Sequence, residues 1–212
     1  MRLDKFLVIK GYFSTRQKAK EAIKRGFVLV NGKIITKPAF DVNPDAKIEI
    51  LEKERPKGYW KLKELDEEWN IIKNGDVVLD LGSSSGGFLL YASEKAKVVY
   101  GIEISKEFED ELRKIERERN NVKVFIDNAF TFDLSKIEEL DVILSDLTLD
   151  TKSAWIATSR FVPILKHDGK ILFVAKTGIK GKDSNVEFEN LEILNVKDSK
   201  YKKERYYLLR KP

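Results

Sequence analysis

The stretch "LDLGSSSGGF", residues 79–88, can do chemistry in two ways. Gly82 to Gly86 fits G-x-S-x-G, the turn that lifts a nucleophilic serine in hydrolases, and Asp146 and His167 follow Ser84 in the order of an acyl-transfer triad. The same residues form a glycine-rich turn after an apolar strand, through which a backbone can approach a nucleotide cofactor. Two acids favour the cradle. Asp80 immediately precedes the turn, and Glu103 ends the next apolar run, "VVYGIEI", about 20 residues past Gly82, where a carboxylate can bind both hydroxyls of a ribose. An elbow hydrolase has no use for that acid. His167, the only histidine, sits in "LKHDGK", which reads as a polar surface turn just before a strand. Ser84 is therefore expected to belong to a cradle. A dinucleotide site would want G-x-G-x-x-G, whereas Ser83 to Ser85 fill the first half of this loop.

Strand ends must carry these groups. "VVLDL", "VVYGIEI", "VKVFI", "LDVILSD" and "KILFVAK" read as apolar strands, and the stretches near 86–95, 106–119 and 152–165 can be helical. Such alternation implies a mostly parallel sheet with helices on both faces, closed here by two further strands, "LEILNV" and "RYYLLR". Ligands of these sheets gather at the carboxyl ends of the strands. Asp127 and Asn128 in "FIDNA", Asp146 in "LSDLT" and Lys176 in "FVAKTG" all stand at such ends. Ahead of the first of these strands, "WKLKELDEEWNI" places Leu62, Leu65 and Trp69 on one helical face.

The chain has 212 residues, 42% hydrophobic and 35% charged, enough for one medium domain and a small second one. No apolar run approaches the ~18 residues of a membrane span, and the N-terminus lacks a cleavable signal pattern. Without cysteine, disulfides and Cys-ligated zinc are excluded, so no metal and a cytoplasmic location are expected. Charge is unevenly spread. Residues 1–58 hold 14 basic and 7 acidic residues, the remainder 26 and 28, so the first quarter carries the whole +5 excess. A basic module beside a near-neutral domain suggests a polyanion partner.

That module has its own elements. Leu3, Phe6 and Leu7 recur at helical spacing, with Gly11 to end the helix. Ser14 and Gln17 form a capping-box pair for a second helix, whose apolar stripe is Ala19, Ala22 and Ile23 and whose end is Gly26. "FVLVNGKII" reads as a hairpin turning at Asn31-Gly32. "EKERPKG", 52–58, reads as a linker between a domain at 1–51 and one at 59–212.

Arg2-Leu3-Asp4, Thr15-Arg16-x-x-Ala19, Gly26 and Val28-Leu29-Val30-Asn31-Gly32 together resemble the S-four RNA-binding domain, with Thr15 in place of a serine. The resemblance implies that Arg16 and its basic neighbours, a set of Arg2, Arg16, Lys18, Lys20, Lys24, Arg25 and Lys33, lie against structured RNA, reading phosphate and shape more than bases. The loop D-L-G-S-S-S-G-G-F resembles the first motif of S-adenosylmethionine-dependent methyltransferases. That implies Asp80 near the amino acid end of the cofactor, a loop of Gly82, Ser83, Ser84, Gly86, Gly87 and Phe88 around it, Glu103 on its ribose, Asp127 and Asn128 beside its adenine, and Asp146 close by.

Both halves combined resemble the TlyA family of rRNA ribose methyltransferases, whose fold is that of FtsJ-type enzymes. The implied fold is an α/β, Rossmann-like methyltransferase sheet with helices on both faces, preceded by a small α+β S-four domain. The implied catalytic tetrad is Lys61, Asp146, Lys176 and Glu204. The implied reaction is 2′-O-methylation of RNA, with rRNA or a ribosomal subunit as partner and neither DNA nor membrane. Lys176 is expected as the base, its neutral form favoured by the Lys61 cation and by partial desolvation. "DLTLDT" and "AKTGIKG" differ from the usual TlyA wording. Two other readings remain: a non-catalytic RNA-binding protein on the same fold, and a membrane-active protein of the kind that gave some family members the name hemolysin.

Overall fold

The computed structural model describes residues 1–51, 55–177, 186–199 and 202–212, which fall into two compact units, Met1–Arg55 and Pro56–Pro212. Part of the stretch read as a linker, 52–54, and most of "AKTGIKG" lie outside the described residues.

In the first unit α1 (Leu3–Ile9) and α2 (Arg16–Lys24) pack on a three-stranded antiparallel sheet of β1 (Val28–Val30), β2 (Lys33–Ile34) and β3 (Ile48–Ile50), in the order β2-β1-β3. The helical stripes read from the sequence are what they bury: Leu3, Phe6, Leu7, Ala19, Ala22 and Ile23 close over Val28 and Val30. Asn31 and Gly32 both have positive φ, 49° and 75°, as a two-residue type I′ turn requires. The cap of α2 differs from expectation. Thr15 Oγ1, not Ser14, accepts from the Lys18 amide at 3.3 Å, and Gln17 reaches forward to Glu21. The extended backbone of Thr15 places its hydroxyl over the orphan amides of the first turn.

The second unit runs α3 (Lys57–Trp69), β4 (Val77–Leu81), α4 (Gly87–Ala92), β5 (Val98–Glu103), α5 (Glu109–Glu118), β6 (Val122–Ile126), β7 (Leu140–Ser145), α6 (Thr151–Ser159), β8 (Leu165–Lys176), β9 (Glu192–Asp198) and β10 (Glu204–Arg210). Its seven strands lie in the order β6-β5-β4-β7-β8-β10-β9. The first five are parallel, and β10 runs antiparallel to both β8 and β9. Because strand side chains alternate, the sheet makes two cores. Val78, Val99, Val124, Leu144, Val174 and Leu208 meet α3, α4 and α5 through Leu62, Leu65, Leu89 and Leu112. Leu79, Tyr100, Ile143, Phe173 and Leu209 meet α6 and its flanks through Ala154, Ala157, Phe132 and Phe161.

The chain winds outward from β4 through β5 to β6, then returns to β4's other side with β7 and β8. Strand order therefore reverses between β4 and β7, and their carboxyl ends border the crevice where such sheets bind ligands. Two boundaries move. Helix α3 begins at Lys57, inside the stretch read as linker, and β8 begins at Leu165, so His167 lies within the strand rather than in a turn before it. An irregular register beside Val142 and a left-handed Asp168, φ 61°, let the strand absorb "HDG".

Candidate active site

Strand β4 delivers Asp80 and then turns sharply at Gly82, φ 81°. A Cβ there would lie 3.1 Å from Leu147 and 3.3 Å from the Asp146 carbonyl, so only glycine lets the β4 and β7 loops close on each other. At Gly87, the first residue of α4, a Cβ would lie 2.6 Å from the Tyr59 amide nitrogen; the two helices touch there backbone to backbone. Ser83 Oγ donates to the Asp80 carbonyl at 3.3 Å, and Ser84 is exposed with a left-handed φ of 48°.

Asp80 is 1% exposed and neither of its carboxylate oxygens has a hydrogen-bond partner. Burial pushes this carboxyl up to about 8, against the nearby Ser83 hydroxyl and with the negative Asp146 and Glu103 adding to it. A buried polar group left unpaired costs roughly 1–3 kcal/mol, so it marks a place where a donor from a ligand would be welcome. Glu103 is also buried, yet fully engaged: Oε2 accepts from the Ser84 amide and Oε1 from the Ser105 amide, both at 2.8 Å. It thus clasps the glycine loop to the end of β5, and each oxygen retains a lone pair for a further donor. At the end of β6, Asp127 accepts from the Asn128 amide at 2.7 Å and Asn128 from the Phe130 amide at 2.9 Å. Ile104 and Phe130, 67% and 38% exposed, are the apolar side chains next to these two acids' loops.

Four charges close a ring at the ends of β7, β8 and β10 and on α3. Lys61 Nζ lies 2.6 Å from Asp146 Oδ2 and 3.1 Å from Glu204 Oε2. Lys176 Nζ lies 2.5 Å from Asp146 Oδ1 and 2.8 Å from Glu204 Oε1. Each carboxylate thus bridges both lysines. Antiparallel register sets one side of the square directly, since Glu204 is the cross-strand partner of Lys176. The side chains are only 5–19% exposed, which strengthens every contact. The lysines sit among charges that each need the others.

The protonation state departs from the sequence expectation. Burial alone would favour neutral Lys176, but Asp146 and Glu204 outweigh it and raise its pKa above the ordinary lysine value. The neighbouring Lys61 does not make it neutral, because two carboxylates lie within 2.8 Å of its ammonium. Burial likewise pushes Glu204 up, and Lys176 and Lys61 reverse that, holding it at about 2. Lys176 therefore rests as an ammonium and Glu204 as a carboxylate.

Ser84, Asp146 and His167 do not form a triad. His167 is 77% exposed at the amino end of β8, nine residues before Lys176 and hence roughly 30 Å down the strand. In the first unit, Arg2 and Arg16 both grip Asp4: Arg2 Nε at 3.1 Å and Arg16 at 2.9 Å. Against the burial that pushes Asp4 up, the two guanidiniums hold it at about 2. Both arginines remain 52% exposed, and Lys18, Lys24, Arg25 and Lys33 are exposed beside the half-buried Lys20.

The sequence placed Phe88 in the cofactor loop but did not single out Tyr206 or set either ring beside Lys61. Phe88 and Tyr206 have their centroids 5.9 and 6.0 Å from its ammonium. Tyr206 follows Glu204 by two on a strand, and that spacing was the available signal. Nor did it single out Asp66, whose carboxylate collects Ile71 and Ile72 amides, Tyr91 and Lys95 and so fastens α3 to α4. Among the described residues no cluster of side chains could hold a metal ion, and no helix is long and apolar enough to cross a membrane.

Comparison with known proteins agrees in outline. Residues 1–48 match the model of the S4 domain and residues 55–166 that of the FtsJ-like methyltransferase. Hemolysin A of Brachyspira hyodysenteriae is 30% identical over 169 residues, 78% of this chain and 68% of that protein. Ribosomal RNA large subunit methyltransferase E of Methanocaldococcus jannaschii is 33% identical over 116 residues, 49% of this chain and 44% of that protein. Among solved structures, Aeropyrum pernix fibrillarin in complex with S-adenosyl-L-methionine shares the fold, with a TM-score of 0.54 and 20% identity over 66% of this chain and 68% of the other. The chain spans 68%, 56% and 40% of the lengths of three relatives that it matches.

Proposed function

The chain belongs to the FtsJ-like methyltransferase family, with an S4 domain ahead of it as in TlyA relatives, and on that premise we propose that it methylates ribose 2′-hydroxyls of RNA, with rRNA as the substrate class. The observation that carries this reading is the closed Lys61–Asp146–Lys176–Glu204 ring beside a glycine loop and an unpaired buried Asp80.

The residues at the crevice fit S-adenosylmethionine. Asp80 offers an unpaired carboxyl that the cofactor's ammonium would hold ionised, Glu103 can accept from its ribose hydroxyls, Asp127 and Asn128 can flank its adenine, and Gly82 and Gly87 leave room for the backbone to approach. When bound, this cofactor supplies a methyl group on a sulfonium cation, whose positive charge near the ring favours release of a lysine proton.

A ribose hydroxyl is a poor nucleophile, so a base must take its proton as it attacks. Lys176 is the group assigned to that task. Because it rests as an ammonium, it must first give a proton to solvent, and the mechanism has one more step than a preformed neutral amine would need. Asp146 and Glu204 then orient the amine, and Lys61, held by the same two carboxylates, keeps the ring together while Lys176 is neutral. Much of the acceleration comes from holding hydroxyl and methyl in line. In the amino-terminal unit the exposed lysines and arginines of α2 contribute phosphate contacts.

Calorimetry on the purified protein tests the cofactor half. Titration with S-adenosylmethionine should give a single site without RNA, and Glu103→Ala should weaken it by about 1–3 kcal/mol, the size of a lost charged hydrogen bond. Unchanged affinity in that variant would contradict the assignment. Lys176→Ala should bind cofactor and RNA and lose turnover.

A further inference from the structure

Tyr206 is a buried side chain to which the tetrad assigns no part. It stands two residues after Glu204 on β10 and hence on the same face of the sheet. Its hydroxyl donates to Glu204 Oε2 at 3.2 Å, the oxygen that also takes Lys61 at 3.1 Å. Its cross-strand neighbour on β8 is Val174, two residues before Lys176, so the ring of Tyr206 forms the floor beneath the charges. It is 8% exposed, and with Phe88 it flanks the Lys61 ammonium at cation–π distance.

We propose that Tyr206 is a positioning residue of the tetrad: its hydroxyl fixes Glu204 so that one carboxylate serves both lysines, and its ring confines Lys61. This rests on the transferase reading only for its effect on turnover, since the contacts exist in the protein alone. A carboxylate held by nothing but two flexible lysine side chains can swing to pair with either one. Tyr206, fixed by a packed strand, supplies the rigid third contact. The groups facing Glu204 are Lys61 from α3, Lys176 from β8, Lys202 at 3.8 Å and Tyr206 from β10, with Asp146 across the ring. Removing the phenol donor leaves the Glu204 charge shared among fewer partners, so it draws harder on the ammonium protons and Lys176 holds its proton more tightly. Burial pushes the phenol itself up, with Glu204 and Asp146 adding to it and a hydrogen bond from Ser199 opposing it, so it stays a donor at neutral pH.

Competitive acylation with trace acetic anhydride at pH 9, read by mass spectrometry on the full chain with exposed Lys5 as internal standard, reports the neutral fraction of Lys176 without any substrate. Tyr206→Phe should label Lys176 about three- to tenfold more slowly than wild type, the effect of one lost hydrogen bond on a proton equilibrium. Fluorotyrosine at position 206, a stronger donor of nearly the same shape, should shift labelling the other way and keeps the test open if the phenylalanine variant does not fold. Faster labelling in Tyr206→Phe would mean that the ring only packs the site, and unchanged labelling in both variants would mean that the hydroxyl sets nothing; either overturns the proposal. Slower labelling in a protein that transfers no methyl group would leave the positioning role standing and defeat the transferase reading alone.

Discussion

Asp80 is a buried carboxyl whose oxygens have no hydrogen-bond partner at the end of β4. Its folded pKa, about 8, lies above the ordinary carboxylate value of 3.8. The unfolded chain therefore ionises first, and the stability this group allows is complete below about pH 4 and falls as pH rises to about 8. Asp80→Asn, which mimics the protonated form, should be more stable than wild type by several kcal/mol at pH 8 and equal to it near pH 4, while binding cofactor more weakly. Paired urea titrations at the two pH values check this; equal stability at both would mean that Asp80 is not strained. Glu204 has the opposite sign. Its folded value of about 2 lies below 4.5, so its contribution, about 3 kcal/mol, is present above pH 4.5 and lost as pH falls towards 2. Glu204→Gln should lose about that much at neutral pH, and the two proteins should converge in acid. That Lys61, Asp146, Lys176 and Glu204 belong together was legible only through the resemblance to FtsJ-type enzymes, and the structure does bring the four side chains into contact. Their protonation was not legible, because it depends on which of three neighbours lies nearest, and spacing along the chain says nothing of distances between strands.

At the scale of elements, the site is built where α3 and α4 cross. Gly87 touches the backbone of Gly58 and Tyr59 at one end, and Asp66 ties Tyr91 and Lys95 at the other. Two fastenings fix the angle between the helix that carries Lys61 and the one that follows the glycine loop. Gly87→Ala places a methyl group 2.6 Å from a backbone nitrogen, which cannot rotate away. The helices must part, with an expected loss of roughly 1–3 kcal/mol in chemical denaturation and a larger loss in methyl transfer than stability alone explains. A variant that keeps full stability and rate would show that the crossing does not set the lysine. Strands and helices were readable here because apolar runs and helical stripes map directly onto two cores. The three-residue β3 was not read, being too short to show alternation, and Thr15 rather than Ser14 caps α2 because backbone conformation selects the capping hydroxyl. His167 entered β8 through a left-handed Asp168, a conformation that a polar "KHDGK" hides.

At the scale of the molecule, charge and chemistry divide between two units. The first carries the excess of basic residues, and the second carries the ring and crevice. Arg2 and Arg16 are partly committed to Asp4, so Lys20, Lys24 and Lys33 are the cleaner probes of RNA affinity. Replacing all three by glutamine should weaken RNA binding and reduce the slope of log K against log salt by about 2–3, the counterion release of as many phosphate contacts. An unchanged slope would move the RNA surface elsewhere. The central claim concerns where the methyl group goes, and alkaline hydrolysis reads that directly. Unmodified rRNA incubated with the protein and methyl-labelled S-adenosylmethionine is hydrolysed in alkali, which needs a free 2′-hydroxyl to cleave each linkage. Label transferred to ribose should survive in alkali-resistant dinucleotides and be absent when Lys176→Ala replaces the wild type. Label released in mononucleotides would place the methyl group on a base and contradict the account.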